Sequence, residues 1–140
     1  MRYMIIMEAS QQHYDAMSGK TTAVPTWTPE ELEAMYGFMN DLNKDLVARG
    51  EWVDGQGLTA PAHARRVTRV DGEAVVTDGP YAETKEVLAG YWIVDVDSID
   101  RATEIAAHVT TCPGPGGTID GLPVDIRPID QPSPDAASEA

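Results

Sequence analysis

Three histidines, one cysteine and an Asp-Gly-Pro turn are the groups in this chain best suited to chemistry. Asp78 precedes Gly79 and Pro80, which places a carboxylate on a constrained turn at a strand end, where a general base can be held in position. Burial there would raise its proton affinity toward neutrality, because a low dielectric disfavours the charged form. The competing reading is local: Asp-Gly-Pro is ordinary turn chemistry, with the carboxylate accepting backbone N–H bonds. Among the histidines, His13 sits beside Tyr14 and Asp15 in a long segment that can close over a cleft. A histidine oriented by a carboxylate is the simplest acid–base unit. Asp78, assisted by His13, is the expected catalytic centre. His63 precedes an exposed strand, and His108 lies near a helix end where its charge suits the dipole.

Four residues are expected to bind substrate. Tyr81 directly follows the Asp-Gly-Pro turn. Lys85, between Glu83 and Glu86, suits an anionic group, against the alternative of a surface ion pair worth about 0–1 kcal/mol. Tyr91, with Trp92 and Trp52, suits the wall of an apolar pocket, against the alternative of core or dimer interface. Arg127 suits bidentate capture of a carboxylate, against pairing with an acidic neighbour.

Other chemistries find no support. Cys112 has no matched base in the sequence, so it is a weak candidate nucleophile. The run Gly114-Pro115-Gly116-Gly117 lacks the Lys-Ser/Thr of a phosphate loop. No His-x-His, His-x-x-Glu or Cys-x-x-Cys spacing occurs, so neither a metal site nor a cofactor is expected.

These residues need elements to hold them. Residues 2–7 read as a buried strand. Residues 8–27 show no clean periodicity and read as a long loop, a kind of segment that is usually functional or mobile. Thr28-Pro29-Glu30-Glu31 starts a helix over 28–49: Thr28 caps, Pro29 fits the first position and Glu31 completes a capping box. Leu32, Met35, Tyr36, Met39, Leu42 and Leu46 form its apolar stripe, and Gly50 stops it. An irregular strand over 51–58 follows. Strands over 64–70 and 74–77 flank Asp71-Gly72, a type I′ hairpin signal. Residues 87–96 form the best strand, with Leu88, Trp92, Val94 and Val96 on one face and Ala89, Tyr91 and Ile93 on the other. Asp97-Ser98 opens a second helix, striped by Ile99, Ala102, Ile105, Ala106 and Val109 and ending before Pro113. A last strand lies over about 122–129, and residues 130–140 read as a disordered acidic tail.

This order predicts an α+β fold, a ferredoxin-like antiparallel sheet with two helices on one face. Residues 1–129 make one domain; 140 residues are enough to bury a real core without staples. Strand 87–96 is apolar on both faces, so the face without helices also needs cover. A second copy of the chain is the simplest supply, and a twofold homodimer packed sheet against sheet is expected.

Charge narrows the partners. Ten basic residues against 23 acidic ones give a net charge of −13. Phosphate-backbone binding needs clustered Lys and Arg, so direct nucleic-acid binding is not expected. Adhesion to an anionic membrane is disfavoured for the same reason. Asp130, Asp135 and Glu139 remove only three of the 23 acids, so the folded body itself stays acidic. No apolar run approaches the roughly 18 residues of a membrane span, and the single cysteine forms no intrachain disulfide. A cytoplasmic location is expected.

The stretch Asp78-Gly79-Pro80-Tyr81-Ala82-Glu83-Thr84-Lys85-Glu86, followed by Gly90-Tyr91-Trp92-Ile93-Val94-Asp95-Val96, closely resembles the signature of the YCII-related, or DGPF, family. Tyr81 stands where the family's name has Phe. Arg2-Tyr3-Met4-Ile5-Ile6, Pro29-Glu30-Glu31 and Val124-Asp125-Ile126-Arg127-Pro128-Ile129 extend the likeness over most of residues 1–129. The resemblance implies a dimeric α+β barrel. It implies no single reaction: the wider superfamily holds small-molecule isomerases, monooxygenases and dechlorinating enzymes, and some relatives are encoded beside extracytoplasmic-function sigma factors.

The expected function is small-molecule binding in a cleft between sheet and helix. Its enzymatic version is cofactor-independent acid–base chemistry of isomerase, lyase or hydrolase type at Asp78. The alternative is a non-catalytic accessory or ligand-sensing domain linked to sigma-factor-type signalling. A third reading makes the dimer itself the functional scaffold, without a ligand.

Overall fold

The computed structural model describes residues 1–118 and 122–130. Strand β1 (Arg2–Ala9) leads into helices α1 (Gln11–Met17) and α2 (Pro29–Ala48). Strand β2 (Trp52–Gly57) and a 3₁₀ turn (Pro61–His63) precede the hairpin β3 (Arg65–Val70) and β4 (Glu73–Asp78). Strand β5 (Val87–Asp95), helix α3 (Ile99–Val109), the two-residue strands β6 (Pro113–Gly114) and β7 (Gly117–Thr118), and β8 (Val124–Pro128) complete the chain. The main sheet has the order β2-β5-β1-β8, with antiparallel neighbours throughout. This is the α+β, ferredoxin-like arrangement that the element order predicts.

Strand alternation divides the sheet into two faces. Tyr3 and Ile5 of β1 pair with Val94 and Trp92 of β5, and all four are buried against the helices. Leu42 and Leu46 of α2, with Ala102, Ile105, Ala106 and Val109 of α3, supply the opposing layer. Helix α2 begins as its sequence dictates: Thr28 Oγ1 accepts from Glu31 N, and a Glu31 carboxylate oxygen accepts from Thr28 N. Ser98 caps α3 in the same way, its side chain accepting from Arg101 N. Glu51, where the chain leaves α2, receives a two-pronged bond from Arg101, with Nη2 to Oε1 and Nε to Oε2 both at 2.8 Å. That fork ties α3 to the start of β2.

The segment 8–27 departs from its reading as a loop. Strand β1 continues to Ala9, and Ser10 then caps α1 through a reciprocal bond with His13. Ser10 is itself buried, the single buried polar residue among those described. A seven-residue helix is too short for apolar periodicity to reveal, and His at the third position is not the Glu or Gln that marks a capping box in sequence. Residues 18–27 return over this helix, with Trp27 N donating to Ala16 O at 3.1 Å.

The face given to Leu88 also changes. The β1–β5 register passes from Met7↔Gly90 to Glu8↔Leu88, leaving Ala89 as an extra residue. Such a bulge shifts the side-chain alternation beyond it, and Leu88 is exposed rather than packed with Trp92. Asp71 and Gly72 have φ of 50° and 80°, the positive values that a type I′ turn needs. The hairpin they close forms its own two-stranded sheet, and every residue of both strands is exposed. The tail expected over 130–140 lies, from residue 131 onward, outside the described residues. Among the described residues, no helix is long and apolar enough to cross a membrane.

Candidate ligand-binding cleft

Three glycines open a hole in the layer between sheet and helices. The register places Gly90 of β5 beside Gly57 of β2 on one side and Met7 of β1 on the other; Gly55 pairs with Trp92. Gly55, Gly57 and Gly90 share the helix-facing side with Trp92, by alternation along each strand. At this end of the sheet the glycines offer no side chains to meet α2, and a cavity of about 610 Å³ lies above them. Ligand sites commonly span about 300–1,000 Å³. Gly55 also lets two rings pack close: a Cβ there would lie 2.6 Å from Trp52 Cη2 and 3.3 Å from Trp92 Cδ1.

The walls are apolar and soft. Met35, Tyr36 and Met39 come from α2, Tyr14 and Met17 from α1, and Val24, Pro25 and Trp27 from the returning segment. Methionine fills irregular space and adapts to flat rings through its polarizable sulfur. Helix α1 is fixed as a wall by bonds to distant loops. Gln12 N donates to Glu83 O at 3.2 Å, Gln11 Oε1 accepts from Ala62 N at 2.8 Å, and the Tyr14 hydroxyl donates to Leu58 O at 2.8 Å. Burial pushes the Tyr14 phenol above its usual pKa. Pro115 and Leu122 border the opposite rim. Glu31 pins that rim to α2, its Oε2 accepting from Gly116 N at 2.6 Å. The backbone N–H bonds from Thr28 and Gly116 hold the Glu31 carboxyl below the usual range.

Few polar groups face this space, and two have a fixed sense. Ser10 N donates to His13 Nδ1 at 3.0 Å. A backbone N–H can only donate, so Nδ1 accepts and the proton of the neutral ring sits on Nε2. Trp92 Nε1 donates to Asn43 Oδ1 at 2.7 Å. An indole N–H also only donates, so the amide oxygen must face it and the NH₂ group must point elsewhere. Among the described residues no lysine or arginine lines the cleft.

Of the residues singled out in the sequence, His13 and Tyr91 border this cavity, although strand alternation turns the Tyr91 side chain to the opposite face of the sheet. The Tyr91 hydroxyl donates to Asp54 Oδ2 at 3.1 Å, and that bond raises the phenol's pKa. Asp78 is not among the lining residues. It ends β4 with its side chain 76% exposed, accepting from Arg65 Nε at 2.7 Å. Tyr81 lies under the Arg66 guanidinium, 5.2 Å from ring centroid to Cζ. Lys85 and Arg127 are exposed and away from the cavity. His63 closes the 3₁₀ turn, and His108 stacks on Phe38 with ring centroids 4.9 Å apart. Cys112 is buried, and burial pushes its thiol up to about 11. Sequence reasoning missed Asn43, Tyr14 and the glycine floor. The signal for the floor is the pairing register, which sets Gly57 beside Gly90 and Gly55 beside Trp92.

A family model for the YCII-related domain matches residues 1–114. An uncharacterized protein of Rhizobium meliloti (strain 1021) is 29% identical over 108 residues, covering 76% of this chain and 87% of the relative.

Proposed function

The chain belongs to the family of YCII-related domains, and on that premise we propose that it binds a small molecule in the cleft between β2, β5 and α2. The observation that carries this reading is the 610 Å³ cavity over a glycine floor. Gly57 keeps apolar space open where Leu or Val would fill a core, while Gly55 yields its space to the Trp52 and Trp92 rings. The reading favours a ligand-binding or sensing domain over acid–base catalysis at Asp78. That carboxylate is exposed, engaged with Arg65 and not part of the lining, so its simplest role is to pair the ends of the hairpin. The test is Gly57→Val. A Cβ at Gly57 meets nothing within 4 Å, so the branched side chain enters the cavity at little cost to a strand. Small-molecule binding detected by Trp27 and Trp92 fluorescence is expected to disappear in this variant. Undiminished binding would overturn the assignment of the cleft.

A homodimer is part of the same reading. Met4, Ile6, Tyr91 and Ile93 lie on the sheet face opposite the helices and are only partly buried within one chain. A second copy packed on that face would cover them. Size-exclusion chromatography with light scattering at micromolar concentration should give twice the chain mass, and a monomer there would count against it.

A further inference from the structure

We infer that the cleft selects neutral, flat, apolar molecules that carry a hydrogen-bond acceptor oxygen, of the aryl ketone or quinone kind, and that His13 Nε2–H and the Asn43 side-chain amide read that oxygen. The inference rests on the cleft being a ligand site. It names what the site takes.

The acceptor atoms of His13 and Asn43 are already committed. The two cleft residues each use their acceptor on a protein N–H: His13 Nδ1 on Ser10 N, and Asn43 Oδ1 on the Trp92 indole. What each has left is a donor. Neither His13 Nε2 nor the Asn43 amide nitrogen has a hydrogen-bond partner among the described residues. The Tyr14 hydroxyl, the other polar group on the α1 wall, already donates its proton to Leu58 O. A ligand oxygen therefore meets N–H groups. A ligand with only donors at that end would leave them unmatched, at the cost that accompanies a desolvated, unpaired polar group.

Charge decides between a neutral oxygen and a carboxylate. No cation lines the cleft among the described residues, Glu8 borders it, and the chain carries −13. An anion would enter a field of its own sign with no ion partner. Shape completes the class. Methionine and aromatic walls from α1, α2 and the 24–27 segment suit a ring system, and the glycine floor lets a flat molecule lie against the backbone of β2 and β5.

Three probes on one ring system test this on the full chain by titration calorimetry: fluorenone, fluorene and fluorene carboxylate. Fluorene lacks the oxygen but keeps the shape. Fluorenone is expected to bind about tenfold more tightly than fluorene, the difference of one or two hydrogen bonds, and the carboxylate is expected to bind worst. Two variants remove a donor and spare the fold. His13→Glu keeps the capping box, because Glu accepts from Ser10 N as His13 does. Asn43→Asp keeps an oxygen for the Trp92 indole. Each should lower fluorenone affinity about tenfold more than it lowers fluorene affinity. Equal binding of fluorenone and fluorene, both abolished by Gly57→Val, would overturn the acceptor-oxygen inference and leave the cleft standing. Tightest binding by the carboxylate would overturn the neutral class. Failure of all three probes to bind, or binding untouched by Gly57→Val, would overturn the cleft reading together with this inference.

Discussion

The Trp92 indole donates to Asn43 Oδ1 at 2.7 Å, joining a central strand to the first long helix at the edge of the cleft. The bond orients two groups at once, since it holds the ring over Gly55 and turns the amide NH₂ away from the indole. Trp92 is only 6% exposed, so its N–H has little access to water. Asn43→Ala should therefore destabilise the fold by about 1–3 kcal/mol, the cost of an unpaired buried donor. Asn43→Asp should retain most of the stability, because an oxygen still faces the indole. Urea unfolding followed by tryptophan fluorescence separates the two. Equal loss in both variants would show that the bond is not the cause.

The fork between Arg101 and Glu51 predicts a pH dependence. The Arg101 hydrogen bonds hold the Glu51 carboxyl below its usual range. A carboxylate whose folded pKa is depressed stabilises the fold fully above its unfolded pKa of about 4.3, and that stability is lost as pH falls through the folded pKa. Glu51→Gln should therefore be less stable than the parent at neutral pH, with the gap closing under acid. Arg101→Met should cost about 1.5–3 kcal/mol at neutral pH, in the range for hydrogen bonds to charged groups. Unfolding free energies at several pH values check both, and a gap that widens in acid would refute the assignment.

Much of this architecture is legible in the sequence, and the illegible part has a physical cause. Thr28-Pro29-Glu30-Glu31 and the stripe through Leu46 specify α2 locally, and Asp71-Gly72 specifies its turn through positive φ. Helix α1 escapes because its cap uses a histidine nitrogen where Glu or Gln is usual. The cleft escapes for a different reason. Gly55, Gly57 and Gly90 read one at a time as strand irregularities, and they become a floor only once β2 and β5 are paired in register. Asp78 attracts attention because turn chemistry and acid–base chemistry use the same residue type, and sequence carries no exposure to separate them.

Cys112 should be chemically silent in the folded protein. It is buried, and desolvation pushes its thiol up to about 11, so the reactive thiolate is scarce near neutrality. An aromatic disulfide reagent at about pH 8, near the reference thiol pKa, should modify it only as fast as the fold opens, and at once in urea. Rapid modification of the native protein would show that the 110–114 turn opens locally.

The glycine floor makes an ordered prediction, because the three positions differ in what a methyl group would meet. At Gly57 a Cβ finds nothing within 4 Å. Alanine there should be neutral or stabilising by about 0.4–1 kcal/mol, since it removes conformational freedom from the unfolded chain without strain. At Gly90 the Cβ would lie 3.1 Å from Gln56 O, a backbone atom of the neighbouring strand, so the β2–β5 pair must shift slightly. At Gly55 it would lie 2.6 Å from Trp52 Cη2, close enough that a bulky ring must move, and Trp92 Cδ1 at 3.3 Å crowds the other side. Overpacking of that kind costs about 1–3 kcal/mol. Thermal unfolding of the three alanine variants should therefore rank Gly57→Ala as most stable, Gly90→Ala between, and Gly55→Ala as least stable. A destabilised Gly57→Ala would mean that the floor is closed from above, which would remove the space on which ligand binding depends.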